Sequence, residues 1–252
     1  MRHQIFTPCL LLLVVVAGCG GAGTEQGRPA VTQKSQRACV PGDFHRLGSA
    51  KLAYAAIVHS RAAVSRRPAG RPFARFGRLN VNGVPTIFSA RGVRVDARCR
   101  PASYLVQIPK RPNGVTAWVP AEHVALARLR TRLVVDLTER RVTIYRAGRR
   151  VLTTRAAIGS PATPTPTGSF YVNQRLIPRD KTGPFGPGAV GISAFSNVLT
   201  GWTQGGPIAI HGTNAPWSIG KAVSNGCIRI SNPMLRKLFA QALSGTPVLI
   251  RP

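Results

Sequence analysis

The sequence predicts a mainly β protein, and three observations carry that prediction. Glycine and proline number 26 and 21 in 252 residues, a density that breaks the chain too often for a helix bundle and suits short strands joined by turns. Apolar residues fall mostly in short runs bounded by turn residues, and only one stretch, near the C-terminal end, has helical spacing. Hydrophobic residues make up 44% of the chain, enough to build the core of one or two domains and too many for disorder throughout.

The elements follow in order. Arg2 precedes an apolar run from Leu10 to Ala17, which is too short to span a bilayer as a mature helix and reads as a secretory signal over residues 1–18. The run ends in Val16-Ala17-Gly18-Cys19, which resembles a bacterial lipobox. That resemblance implies cleavage before Cys19, lipid on the new N-terminal cysteine, and an exported protein anchored to the outer face of the cell membrane. Residues 19–38 are small, polar and without period, and read as a flexible tether. Cys9 falls in the discarded segment. Cys39, Cys99 and Cys227 remain in an oxidising compartment. Cys39 and Cys99 share the first half of the chain and are expected to form a disulfide, which leaves Cys227 free.

Residues 39–127 contain the apolar runs Leu52–Val58, Pro85–Phe88, Tyr104–Ile108 and Ala117–Val119, each expected as a strand. Pro112-Asn113-Gly114 lies between the last two, and Asn-Gly favours a tight turn. The stretch YLVQIPKRPNGVTAWVPAEHVAL resembles the end of a bacterial SH3-like domain, which implies a small barrel that binds or positions. His45, His59 and His123 are scattered through this half and read as surface or packing residues.

Residues 129–252 open with Leu133–Leu137, a turn, the alternating run Val142–Tyr145, a second turn and Val151–Ile158. Thr163-Pro164-Thr165-Pro166-Thr167-Gly168 has no room for a helix. Ser169–Asn173, Ile208–His211 and Thr246–Ile250 are further strands. One helix is expected, capped by Ser231 or Asn232 with Pro233 in its first turn. Met234, Leu235, Leu238, Phe239, Ala242 and Leu243 form its apolar stripe, and Gly245 stops it.

Charge narrows the partners. Lys and Arg total 35 against 7 Asp and Glu, a net +28. So little carboxylate argues against an acidic metal site. The excess calls for an anionic neighbour: nucleic acid, lipid headgroups or an anionic cell wall. The export signal and the lack of a basic-aromatic motif argue against nucleic acid.

The chemistry centres on Cys227. A sulfur nucleophile reacts as a thiolate and needs a nearby base or positive charge. His211 is the only histidine in the second half and ends the run Ile208-Ala209-Ile210. Gly226 removes a side chain beside the cysteine, where backbone must turn sharply or approach a substrate. With few acids in this half, a backbone carbonyl can orient the imidazole as well as a carboxylate can. The competing reading makes Cys227 a buried structural thiol and His211 an edge histidine.

The segment HGTNAPWSIGKAVSNGCIRISN resembles the active-site segment of the L,D-transpeptidases, the YkuD-type catalytic domain. The Thr165-Pro166-Thr167-Gly168 turn, the hairpin VVDLTERRVTIYRAGRRV and the closing TPVLIR extend that similarity over residues 130–251. The resemblance implies a β-sandwich or barrel domain with one C-terminal helix, acting on peptidoglycan stem peptides without metal or organic cofactor. It implies Cys227 as nucleophile, His211 as base and the Gly212 carbonyl as its orienting group. Gly226 and Cys227 are expected to supply oxyanion-hole amides. Arg229 is expected to hold an anionic group or brace the loop, and Ser224 to brace it. Asn225 stands where many members have His, and is expected to tune the site. The alternatives are a hydrolase or L,D-carboxypeptidase of the same fold, and a non-catalytic wall-binding lipoprotein.

Overall fold

The computed structural model describes residues 39–201 and 206–252. The signal segment, Cys19 and the tether lie outside the described residues. Eight strands come first: β1 (Phe44–Arg46), β2 (Ala53–Val58), β3 (Ala62–Ser65), β4 (Pro72–Phe76), β5 (Ile87–Val95), β6 (Pro101–Gln107), β7 (Thr116–Pro120) and β8 (Val124–Leu129). They form one sheet in the order β4-β3-β7-β6-β5-β2-β8, with β1 added on β5. Val58, Val64, Phe88, Val106, Ile108 and Val119 are its buried core.

Arg130 alone separates β8 from β9 (Thr131–Asp136), which turns into β10 (Arg141–Arg146) and β11 (Arg149–Arg155). Alternation is visible in β10, where Val142 and Ile144 are buried while Arg141 is exposed and Thr143 and Tyr145 are half-buried. The short β12 (Ile158–Gly159) follows, then β13 (Gly168–Leu176), β14 (Ala189–Phe195), β15 (Pro207–His211), β16 (Ala222–Ser224) and β17 (Ile228–Arg229). Helix α1 (Asn232–Gln241) and β18 (Pro247–Arg251) close the chain. The second large sheet has the order β11-β10-β9-β18-β13-β14-β15-β17, and β12 pairs with β16 separately. Leu133, Phe170, Val190, Ile210, Ile228, Leu235 and Leu238 are among the residues of its core.

Several boundaries depart from the sequence pattern. The expected strand Val151–Ile158 breaks after Arg155, because Ala156 bonds back to Arg140 and Ala157 pairs with Arg229 instead of continuing along β10. β14 carries no alternation because nearly every residue in it is buried. β4 begins with a proline on an edge strand, where the missing N–H costs no ladder bond. Helix α1 has Ser231 at its N-cap without a side-chain cap bond, and it ends at Gln241, before Gly245. Leu243 is exposed and lies off the core stripe.

The two large sheets are joined by specific bonds as well as by apolar contact. Tyr171 is fully buried and its hydroxyl donates to the Ile87 carbonyl at 3.0 Å. Gln107 donates to Ser169 O at 2.9 Å. Asn113, expected only as a turn residue, pairs reciprocally with the Phe195 backbone, giving at 2.8 Å and accepting at 2.9 Å. Gly245, at φ +94°, lets the second sheet approach so closely that a Cβ there would sit 2.3 Å from Ala55 Cβ.

Cys39 and Cys99 are bonded, with Cα atoms 6.1 Å apart at a sequence separation of 60. Closing a loop of that length restricts the unfolded chain and stabilises by ~2–4 kcal/mol. Cys39→Ser with Cys99→Ser is expected to lower the urea midpoint accordingly. A midpoint equal to that of the parent would show that the bridge adds nothing.

Candidate active site

Strands β15 and β17 run parallel, with Ile210 opposite Ile228 and His211 opposite Arg229. Alternation along paired strands then divides the side chains. Ile208, Ile210, Ile228 and Ile230 turn into the core and are almost fully buried. Ala209, His211, Cys227 and Arg229 share the opposite face. The pairing thereby brings together a thiol, an imidazole and a guanidinium separated by up to eighteen positions in sequence.

His211 is buried, and its Nδ1 lies 2.5 Å from the Gly212 carbonyl oxygen. A carbonyl can only accept, so Nδ1 carries the proton and Nε2 is left as the basic nitrogen. The Phe185 ring packs edge-on against the imidazole, with centroids 4.9 Å apart. Its loop is seated by Gly186 and Gly212, where a Cβ on either would come within 2.3 Å of Asn232 Oδ1. That oxygen accepts from Thr213 N at 2.8 Å, which ties the first residue of α1 to the histidine loop.

Burial lowers the His211 pKa from 6.5 to about 4; its bond to Gly212 opposes the shift and the Arg229 charge adds to it. Burial raises the Cys227 thiol, and the Ala209 backbone and Arg229 partly offset this. The resting pair is therefore a neutral imidazole and a neutral thiol, which suits proton transfer during attack rather than a standing ion pair. Cys227 is half-buried, and its Sγ lies 4.0 Å from the Pro207 carbonyl oxygen.

The cysteine turn is held from below. Ser224 Oγ donates to Cys227 O at 2.6 Å and accepts from Gly226 N at 3.1 Å. This corrects one expectation: the Gly226 amide is engaged by Ser224 and is not an open oxyanion donor. The Cys227 N–H makes no hydrogen bond among the described residues and is the donor left for an oxyanion. Gly226 sits at φ +105°, where a Cβ would be strained and would meet Ile208 Cδ1 at 3.0 Å. Asn225 is exposed at the tip. Arg229 has no acidic partner among the described residues, so its charge remains available to a ligand.

The sequence reading missed the part played by Thr165. Its buried hydroxyl donates to Gly226 O at 2.8 Å and accepts from Gly159 N at 2.9 Å. Thr163 Oγ1 donates to Ser224 O at 2.9 Å. The rigid Thr-Pro segment is thus the floor of the cysteine turn. Hydroxyls at alternate positions between prolines were the available signal.

The His211 shift has a defined sign. Above pH 6.5 the imidazole is neutral folded or unfolded, and it contributes nothing to pH dependence. Between 6.5 and about 4 only the unfolded chain takes the proton, so folding loses up to about 3 kcal/mol over that window. His211→Gln is expected to remove that loss. Urea titrations of both proteins at pH 7 and pH 4 measure it, and equal acid sensitivity would contradict the shift.

Comparison with known proteins identifies relatives of the second half of the chain. The family model of the YkuD L,D-transpeptidase catalytic domain matches residues 130–250. A putative L,D-transpeptidase YkuD of Bacillus subtilis is 34% identical over 161 residues, covering 63% of this chain and 90% of that protein. A putative L,D-transpeptidase YkuD of Bacillus licheniformis is 39% identical over 121 residues, covering 48% of this chain and 66% of the relative. Among solved structures, the catalytic domain of an E. faecium L,D-transpeptidase overlaps 48% of this chain and 96% of its own, at 26% identity and a TM-score of 0.36. On the sequence relatives, the chain belongs to the YkuD-type L,D-transpeptidase family.

Proposed function

We propose that the protein is a peptidoglycan L,D-transpeptidase working through a thioester on Cys227. The observation that carries this reading is the shared face of β15 and β17, with the His211 proton held on Nδ1 by Gly212. The Cys227 sulfur attacks the carbonyl joining the third stem residue to D-Ala, and its proton passes to His211 Nε2. The oxyanion is met by the Cys227 N–H. As the tetrahedral centre collapses, the carbon–nitrogen bond breaks and D-Ala leaves as an amine with the proton from His211. The amine of a neighbouring stem then attacks the thioester and surrenders a proton to His211. The cross-link between third residues forms and the thiol is restored. Water in place of the amine would give the hydrolase outcome with the same residues. Arg229 supplies positive charge beside the reacting carbonyl.

A carbapenem presents a strained carbonyl to the same nucleophile. Intact-protein mass spectrometry is expected to show one adduct on the parent, none on Cys227→Ala and slowing by orders of magnitude in His211→Ala. An adduct that survives Cys227→Ala, or a parent left unmodified by excess drug, would remove the mechanism and favour the wall-binding alternative. Product masses after incubation with muropeptides separate cross-linking from hydrolysis.

The same reading places the protein outside the cell membrane, with lipid on Cys19, residues 19–38 as a tether, and the excess of arginine facing an anionic wall. Its support is the lipobox-like Val16-Ala17-Gly18-Cys19 and the net charge of +28. Labelled fatty acid fed to expressing cells is expected on the parent and absent from Cys19→Ala. Equal label on both would rule out that anchor.

A further inference from the structure

A cleft of about 370 Å³ lies between the first sheet and the face of the second sheet that bears Cys227. One wall is the loop of residues 77–84 together with Phe76; the other is Asn173, Gln174, Phe195 and Pro207. Pro207 joins the cleft to the reaction centre, since its carbonyl oxygen is 4.0 Å from Cys227 Sγ. Alternation along β15 puts Pro207 on the same face as His211.

The polar groups inside are built for a ligand with both donors and acceptors. Asn80 Nδ2 and Asn82 Nδ2 donate to Gln174 Oε1 at 3.0 and 2.8 Å, which uses both lone pairs of that oxygen. Gln174 Nε2 has no protein acceptor among the described residues. Its neighbour Asn173 has a buried Oδ1 that accepts no hydrogen bond among the described residues, an uncommon arrangement in a folded interior. The ladder between β13 and β14 is irregular at these residues, so both side chains come to the same side. They converge over Gly191, where a Cβ would lie 3.1 Å from each of Asn173 Oδ1 and Gln174 Nε2. An unspent amide nitrogen beside an unspent acceptor matches the C=O and N–H of one residue in an extended peptide, which point to the same side. The remaining walls, Phe76, Leu79 and Phe195, are apolar, and exposed Arg75 stands at the rim.

We propose that this cleft is a peptide subsite, in which Asn173 and Gln174 bond the backbone of the stem segment adjoining the attacked carbonyl, and the loop of residues 77–84 forms its outer wall. The first sheet then takes a direct part in substrate binding. This rests on the stem-peptide reading above, but its test does not require turnover. The full chain carrying Cys227→Ala is titrated calorimetrically with a synthetic stem tetrapeptide ending in D-Ala. Two variants are compared in that background. Asn173→Ala deletes an acceptor that bonds nothing among the described residues, so it is expected to weaken binding at least fivefold while the melting temperature holds or rises. Val81→Trp, at a position 84% exposed on the outer wall, is expected to obstruct the cleft with a similar loss. Val151→Trp, on the edge strand at the far end of the second sheet, is the control and is expected to bind like the parent. Affinity within twofold of the parent in both cleft variants, or no binding by the Cys227→Ala chain at millimolar peptide, would overturn the subsite. Carbapenem acylation of the parent together with peptide affinity that ignores both cleft variants would sink the subsite alone. Cleft-dependent peptide binding without acylation would keep the subsite and sink the transpeptidase mechanism.

Discussion

The parallel pairing of β15 with β17 is the constraint from which the site follows. Two rungs, Ile210 with Ile228 and His211 with Arg229, put four isoleucines into the core and leave the reactive side chains together on the other face. Burial of the isoleucines fixes the register, because a slip of one residue would drive Cys227 inward and an isoleucine out. The energy that holds Cys227 in place is therefore hydrophobic and sits beneath it. Hydrogen bonds then refine what packing has positioned. Gly212 sets the imidazole tautomer, Ser224 closes the cysteine turn, and Thr165 ties that turn to the segment below.

Burial also decides how the proton must move. A solvent-exposed Cys–His pair is readily stabilised as thiolate and imidazolium. Here protein surroundings push the two groups toward their neutral forms, down for His211 and up for Cys227. In the proposed mechanism charge separation then arises only as the sulfur attacks, when Arg229 and the Cys227 N–H are in place to meet it. The arrangement keeps the thiol unreactive toward solvent oxidants, which act on thiolates.

Much of this was legible in the amino acids, and the remainder was hidden for physical reasons. The strand Val142–Tyr145 and the helix around Leu235 and Leu238 show their periods because each buries one face only. β14 shows none because it is buried throughout. Cys227, His211 and Gly226 stand out as residue types, and the lack of nearby acids already pointed to a carbonyl partner for His211. The Phe185 ring against His211 and the convergence of the Asn173 and Gln174 amides were not legible, because they depend on contacts between segments far apart in the chain. The occupied Gly226 amide is a local bond to Ser224, but it is set by the conformation of the turn, of which residue pattern carries no record.

The one-residue joint at Arg130 has a mechanical side. β8 passes into β9 without slack, and Tyr171, Gln107 and Asn113 rivet the two sheets along their shared boundary. Tension applied to the first sheet is delivered through Arg130 into β9, which is flanked by β10 and β18 in the half of the second sheet away from β17. Load also enters through the bonds to Ser169 and Phe195, so the second sheet is pulled at β9, β13 and β14 together, the last of these beside the strand that carries His211.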